Sequence, residues 1–463
     1  LARHQGEVVF VEGGVPGDRA RVHVYGKKKK VLAGRVEELL SPSEKRSEPR
    51  CPHFGHCGGC KWQHMDYTAQ LAYKEKQVRD SLERIGKVSW EEFHPILGNE
   101  EIYHYRNKLE FTFSSKAWLT LDQIQSQQAF DHRVLGFHGP RSFEKVLNIE
   151  TCKLQATLND AIRNELRAFA RQEAIPFYDI RANEGFLRTL TLRSSLYQNQ
   201  FMAILVVAHP DLGRVDHIFS HLAAKFPQIT SFIWIHNPKL NSSYNDLPYH
   251  VWQGEDHLIE QLGTYRFKIR PVSFFQTNPR QAEVLYQVVR RFLLKTMAEG
   301  QAKHSLIFDL YSGTGSIGIF LEQFANRIVG IEYVDSAVQD AWENVRLNQL
   351  EEDRFHFYAG DMKDLLKEDR VKAHGQPSVV VTDPPRQGMD AKVVKRLLEL
   401  NPKHIIYVSC KPSTQARDLA LMDHQYVLTE VQPVDMFPHT AHVENVVLLQ
   451  RRPRPKPLVE SQP

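Results

Sequence analysis

The sequence predicts an α/β protein built in three parts. A doubly wound, mostly parallel Rossmann-like sheet closes the chain, an α+β region fills the middle, and a small OB-like antiparallel β-barrel opens it. Three observations carry this expectation. From about Phe274 onward, short apolar runs alternate with helix-like segments, the pattern of a parallel sheet with crossover helices. The first forty residues hold short stretches of period-2 alternation punctuated by glycine and proline. A chain of 463 residues, 42% hydrophobic and 25% charged, has material for roughly two to four ordinary domains.

Taken in order, residues 1–45 read as strands over Gly6–Glu12, Arg19–Tyr25 and Val31–Val36, with Gly13-Gly14 and Pro16-Gly17 as turns. Small barrels of this kind often hold single-stranded nucleic acid. Ser41–Arg50, with two prolines and scattered charge, reads as a linker. Residues 46–270 then hold a cysteine cluster and a helix over Tyr67–Ile85. Strands follow at Leu109–Phe113, Leu187–Arg193, Phe201–Ala208 and Ser231–Ile235, among helices over Leu158–Gln172 and Asp216–Ala224. In residues 271–463 the strands are Ser305–Leu310, Arg327–Ile331, Phe355–Ala359, Ser378–Thr382 and His404–Val408, with a helix over Ser336–Gln349.

Composition narrows the classes. The longest unbroken apolar run, Phe201–Ala208, is far shorter than the ~18 residues of a membrane span. The first thirty residues carry charge and glycine where a secretory segment would be apolar, so a cytoplasmic protein is expected. Leu1 is not a start methionine, and the loss of a few residues at the front is expected. Five cysteines, an odd number, suit reduced thiols acting as metal ligands or a nucleophile rather than a disulfide scaffold. The net charge of +4 is unevenly placed, because residues 1–80 hold 15 basic against 10 acidic side chains. Lys27–Lys30 and a closing run from Arg451 to Lys456 are the basic blocks. A basic front on a near-neutral body suits a polyanionic partner, although a solvated turn and tail would look the same.

Several motifs carry chemistry. Asp309-Leu-Tyr-Ser-Gly-Thr-Gly-Ser-Ile-Gly318 sets Gly313 and Gly315 where backbone approaches a ligand at the mouth of a helix. The spacing is neither that of a dinucleotide site nor that of a phosphate loop. Asp309 suits an ammonium group, Glu332 a pair of ribose hydroxyls and Asp361 an adenine amino group, the arrangement of an S-adenosylmethionine pocket in class I methyltransferases. Asp383-Pro-Pro-Arg386 makes a rigid loop at a strand's carboxyl end, and Arg386 stands where exocyclic-amine methylation would call for an aromatic residue. Cys410, leaving a strand just before Lys411, is placed for an exposed thiolate of lowered pKa, although a buried apolar cysteine is the commoner fate. A thiolate beside a methyl donor suits pyrimidine C5 chemistry, which also requires a base to remove the C5 proton. His439, His442 and Glu444 are the candidates for it.

In this order, Asp-Leu-Tyr-Ser-Gly-Thr-Gly, Asp-Pro-Pro-Arg, Val-Ser-Cys-Lys-Pro and His-Val-Glu-Asn make the chain resemble the RNA uridine-C5 methyltransferases over nearly its whole length. The resemblance implies Cys410 as nucleophile, Glu444 as general base, and Gln276, Tyr311, Ser316, Glu332, Asp361 and Asp383 around S-adenosylmethionine. Ser316 stands where some members carry asparagine.

The cysteines Cys51-x5-Cys57-Gly-Gly-Cys60 with Cys152 make a set of four that is complete without Cys410. By softness, four thiolates suit zinc or an iron–sulfur cluster equally, but the x5 spacing fits zinc knuckles poorly. His53, His56 and His64 stand nearby as substitutes. The resemblance implies a 4Fe–4S cluster as in the 23S rRNA enzymes of RlmD (RumA) type, with zinc as the alternative, and makes the front barrel similar to a TRAM domain that binds RNA. The tRNA-directed relatives are generally shorter and lack both features. The expected function is therefore 23S rRNA uridine-C5 methylation. A tRNA enzyme of the same chemistry and a non-catalytic iron–sulfur RNA-binding protein are the alternatives. Phe274, Phe275 and Tyr311 are candidates for stacking on an unpaired base.

Overall fold

A computed structural model describes residues 2–28, 31–140, 142–297 and 301–453. The side chains of Lys27–Lys30 and the tail from Arg454 to Lys456, two of the blocks read as a polyanion grip, lie outside what is described.

At the front, Ala2–His4, Glu7–Glu12, Val31–Ser41 and Arg19–Lys28 form one sheet in that order. The expected antiparallel barrel is here a four-stranded sheet with one parallel pair, Glu7–Glu12 against Val31–Ser41. Strand direction explains the difference. The chain runs out, returns along Arg19–Lys28, and runs out again along Val31–Ser41, which slots between the first two passes. Asp18 fastens the sheet to the linker, accepting from the Arg46 guanidinium at 2.7 and 2.8 Å and from the Ser43 N–H at 2.9 Å.

The helix after the cysteine loop spans Tyr67–Ser81, capped by the Asp66 carboxylate accepting from the Ala69 N–H. It then widens into a single π-helical turn, Leu82–Gly86, ending at a left-handed Lys87, so the expected span to Ile85 holds but its last turn is not α-helical. Next comes Trp90–Phe93, which leaves the middle region to pair in parallel with Tyr426–Val434 at the edge of the C-terminal sheet.

The middle sheet has seven strands, in the order Tyr249–Gly254, Ile229–His236, Phe201–Val207, Leu187–Ser194, Lys108–Ser114, Val134–His138, Val146–Asn148. Helices Thr157–Gln172 and Leu212–Lys225 cover one face through Ile162, Leu166, Phe219 and Leu222. Met202, Ile204 and Val206 fill the other face against Tyr244 and Leu258. Burial on both sides is why Phe201–Val207 reads as an unbroken apolar run.

The C-terminal sheet runs Phe355–Ala359, Ile328–Glu332, Ile307–Leu310, Val379–Thr382, His404–Ser409, Glu444–Arg451, Tyr426–Val434, Trp90–Phe93. Its first five strands are parallel, and Glu444–Arg451 is antiparallel to both neighbours. Two apolar layers sandwich it, one around Leu285, Phe292 and Ile319, the other around Leu397, Leu419 and Tyr426. This is the class I methyltransferase architecture, whose strand order reverses between Ile307–Leu310 and Val379–Thr382 and opens a crevice at the carboxyl ends. No helix among the described residues is long and apolar enough to cross a membrane.

Candidate active site

The crevice is a cleft of about 1580 Å³ lined by Gln276, Tyr311, Glu332, Asp361, Asp383, Cys410 and Glu444, seven of the residues singled out in the sequence. Strand ends and tight turns bring them there. Leaving Ile307–Leu310, the chain turns through Tyr311, a non-glycine residue with φ 61°, and Gly313 and Gly315, with φ 53° and 75°. Nothing lies within 4 Å of where a Cβ on Gly313 would stand, so backbone there faces open space. The Gly313 N–H donates to Glu332 Oε2 at 3.0 Å and the Val334 N–H to Oε1 at 2.9 Å, which fixes the Glu332 carboxylate at the rim.

Beneath the turn, Asp309 Oδ2 accepts from the Gly318 N–H at 2.9 Å while Oδ1 is buried without a partner. Burial pushes the Asp309 carboxyl up to about 7, and Asp383 is likewise pushed up to about 7 by burial. An orphaned acidic oxygen and a half-buried second acid at the cleft fit a cationic ligand such as a sulfonium or ammonium group. Asp361 caps the short helix Met362–Leu365 and pairs with Lys363 at 2.7 Å, which holds its carboxyl below the usual range. Ser316 is not among the lining residues, and its hydroxyl lies 2.7 Å from that of Tyr286 instead. Phe274 is 71% exposed at the cleft, whereas Phe275 is 5% exposed and belongs to the core.

Cys410 and Glu444 meet through sheet register. Ser409 pairs with Asn445 at the end of two antiparallel strands, so the next residues in each direction, Cys410 and Glu444, face one another across the ladder. Glu444 is only 5% exposed, and burial, with the Asp383 charge next, raises its carboxyl well above the usual range. Cys410 departs from expectation. Its thiol is pushed up to about 11, first by burial, then by the Glu444 and Asp383 charges. Lys411 is exposed, and the cation that opposes the rise is Arg386. The resting state is therefore a neutral thiol, not a lowered-pKa thiolate.

The other two base candidates separate. His442 lines the cleft with Nδ1 3.0 Å from an Arg386 nitrogen. His439 is 3% exposed, outside the cleft lining, its ring against Tyr103 with centroids 4.3 Å apart. Sequence reasoning passed over Arg106, which lines the same cleft. Its only signal was an arginine just ahead of the strand Lys108–Ser114.

Cys51, Cys57, Cys60 and Cys152 are all free thiols and none lines the cleft, although Gly59 of their loop does. They influence one another electrostatically. Cys60 is pushed up to about 12 and Cys152 to about 11, by burial first and then by neighbouring cysteines, and Cys57 is raised as well. Among the described residues, no three of these sulfurs lie within 4.8 Å of one another. His53 is occupied as a brace, its Nε2 accepting from the Glu150 N–H at 3.1 Å.

Comparison with known proteins agrees with this geometry. Residues 259–452 match the family model described as tRNA (Uracil-5-)-methyltransferase. An uncharacterised RNA methyltransferase of Bacteroides thetaiotaomicron is 44% identical over 98% of each chain, and one of Porphyromonas gingivalis is 46% identical over 97% of each. The crystal structure of Pyrococcus abyssi tRNA (uracil-54, C5)-methyltransferase in complex with S-adenosyl-L-homocysteine superposes with a TM-score of 0.71 at 27% identity, covering 96% of this chain and 95% of that one. The chain belongs to the RNA uridine-C5 methyltransferase family, enzymes that use S-adenosylmethionine to methylate carbon 5 of uracil in RNA.

Proposed function

We propose that the protein makes 5-methyluridine in 23S rRNA, with Cys410 as nucleophile and Glu444 as general base. The observation that carries this reading is the Cys410–Glu444 pair, one step beyond the Ser409–Asn445 register at the floor of the cleft. Carbon 5 of uracil is a weak nucleophile. The Cys410 thiol gives its proton to solvent and the thiolate adds to C6, which moves the C5=C6 electrons toward O4 as an enolate, whose C5 then attacks an electrophilic methyl. S-adenosylmethionine would supply that methyl from its sulfonium, whose S–CH3 bond breaks with the electron pair staying on sulfur as a neutral thioether. Glu444 then takes the C5 proton, the C5–H electrons reform the double bond, and the C6–S bond breaks to return the thiolate. With both carboxyl and thiol raised, both groups act in the form that higher pH favours.

Gln276, Tyr311, Glu332, Asp361 and Asp383 are proposed to hold S-adenosylmethionine, together with Ser316, which opens the short helix after the glycine turn. Cys51, Cys57, Cys60 and Cys152 are proposed to hold a 4Fe–4S cluster; their support is that all four are free thiols close enough to shift one another's ionisation. The division proposed is an RNA-gripping front (1–45), a cluster-bearing middle (46–270) and a catalytic C-terminal part (271–463).

RNA carrying 5-fluorouridine tests the chemistry, because fluorine at C5 cannot leave as a proton. A denaturing gel should show a covalent adduct that maps to Cys410 and is absent in Cys410→Ala; absence of any adduct would sink the covalent reading. A tRNA target is the second reading. It is favoured by the Pyrococcus abyssi tRNA enzyme, which matches the present chain over nearly its full length, so size does not separate the two. Mass mapping of rRNA and tRNA from a deletion strain decides between them by which pool loses 5-methyluridine.

A further inference from the structure

The segment between the last two strands in sequence, residues 435–443, delivers Glu444 to the cleft and contributes Phe437, Thr440 and His442 to its wall. Much of its hold comes from residues that lie more than 300 positions earlier, besides Asn278 on the Met436 carbonyl and Arg386 on His442. The N–H groups of Lys61 and Trp62, directly after Cys60, both donate to the His439 carbonyl at 2.9 and 3.0 Å. Gln70, fully buried, closes the other side. Its Oε1 accepts from the His439 N–H at 2.8 Å, and its Nε2 donates to the Met65 and Trp62 carbonyls at 2.8 and 3.1 Å and stands 3.2 Å from His439 Nδ1. His439 holds a left-handed backbone, φ 65°, which a non-glycine residue keeps only where its surroundings enforce it. Tyr105 adds a hydrogen bond from its hydroxyl to the Pro438 carbonyl at 3.0 Å.

We propose that Gln70 is a positioning residue for Glu444, acting through His439 to seat the catalytic segment on the cysteine loop. The inference rests on the reading of Glu444 as the base that removes the C5 proton. Gln70 touches neither the cleft nor the cofactor residues, so its loss acts on the step that needs Glu444 in register: transfer of the C5 proton to the carboxylate, with re-formation of the C5=C6 bond and release of the Cys410 sulfur. Addition to C6 and methyl transfer draw chiefly on the opposite strand end and the glycine turn, which Gln70 does not hold, so they are slowed less than the Glu444 step. A displaced Glu444 therefore stalls the enzyme as its methylated covalent adduct.

The test uses the full-length protein with undermethylated total RNA from a deletion strain. Gln70→Met keeps the side-chain length and removes every amide hydrogen bond; Tyr105→Phe removes one hydroxyl and keeps the ring. Each is compared with wild type and with Glu444→Gln in turnover, S-adenosylmethionine binding by calorimetry, metal content and steady-state adduct on a denaturing gel. Gln70→Met should lower turnover about ten-fold with cofactor affinity and metal content kept, while the adduct fraction rises toward that of Glu444→Gln. Tyr105→Phe should move in the same direction by a smaller factor, and stands in should Gln70→Met fail to fold. Reduced turnover without adduct in both variants, while Glu444→Gln accumulates it, overturns the positioning role and leaves Glu444 as base. If Glu444→Gln also accumulates none, the reading of Glu444 falls and the inference with it.

Discussion

Cys410 sits among acids, and that sets its chemistry at the residue scale. Burial and the charges of Glu444 and Asp383 push its thiol up to about 11, which favours the protonated form in the free protein. Labelling of Cys410 by iodoacetamide, followed by peptide mass spectrometry, should rise about ten-fold per pH unit between pH 7 and 9. A plateau by pH 7 would mean a lowered thiol. Glu444→Gln should move the rise to lower pH, because it removes the largest charge that opposes ionisation. Asp309 gives a second test through stability. Its folded carboxyl stands at about 7 against an ordinary 3.8, so the folded state holds the proton more tightly than the unfolded chain. The stability this contributes is fully present below 3.8 and is lost as pH rises through 7. The ligand-free protein should accordingly melt lower at pH 8 than at pH 5, and Asp309→Asn should flatten that slope in a thermal-shift series. An unchanged slope would place the cost elsewhere.

At the scale of elements, the helix Tyr67–Ser81 and the segment after Tyr426–Val434 are joined by an ion pair with no solvent on either partner. Lys74 Nζ lies 2.6 Å from Asp435 Oδ1 and also donates to the Phe437 carbonyl at 3.0 Å, while the Tyr67 hydroxyl donates to Asp435 Oδ2 at 2.9 Å. Lys74→Met strands a buried carboxylate and should cost about 3–5 kcal/mol in chemical denaturation. Lys74→Met with Asp435→Asn should recover part of it, and a double variant no better than the single would show that the pair is not the source. Such couplings mark where sequence reading stops. Strands such as Phe355–Ala359 were legible because period and apolarity are local, and the glycine turn was legible because left-handed backbone restricts residue choice. Trp90–Phe93 was not, since its partner strand begins at Tyr426 and edge pairing leaves no local mark. Gln70 was not either, because a lone glutamine in a helix without a clear apolar face looks the same whether it meets water or His439. The charge environment of Cys410 was misread for a related reason. Lys411 was adjacent in sequence, while Glu444 and Asp383 were adjacent only in space.

Across the whole molecule, the cysteine loop is the point where the parts of the chain converge. Toward the front, Arg46 in its approach binds Asp18 of the first sheet's turn; on the middle side, His53 braces Glu150 next to Cys152, whose own N–H donates to Asp160 at 3.0 Å. Toward the C-terminal sheet, Lys61 and Trp62 grip His439. A centre bound by Cys51, Cys57, Cys60 and Cys152 would cross-link these contacts, adding its binding free energy to the folded state only. The fifth cysteine, Cys410, lines the cleft, so the proposed reading divides ligation and nucleophilic duty four to one. Protein purified without oxygen should therefore carry about four iron atoms per chain with visible absorbance, and lose both in Cys152→Ser with a lower melting temperature. Cys410→Ser should keep iron and absorbance while losing turnover. About one zinc per chain with no visible absorbance would replace the cluster by a mononuclear site, and metal loss in Cys410→Ser would break the division of the cysteines altogether.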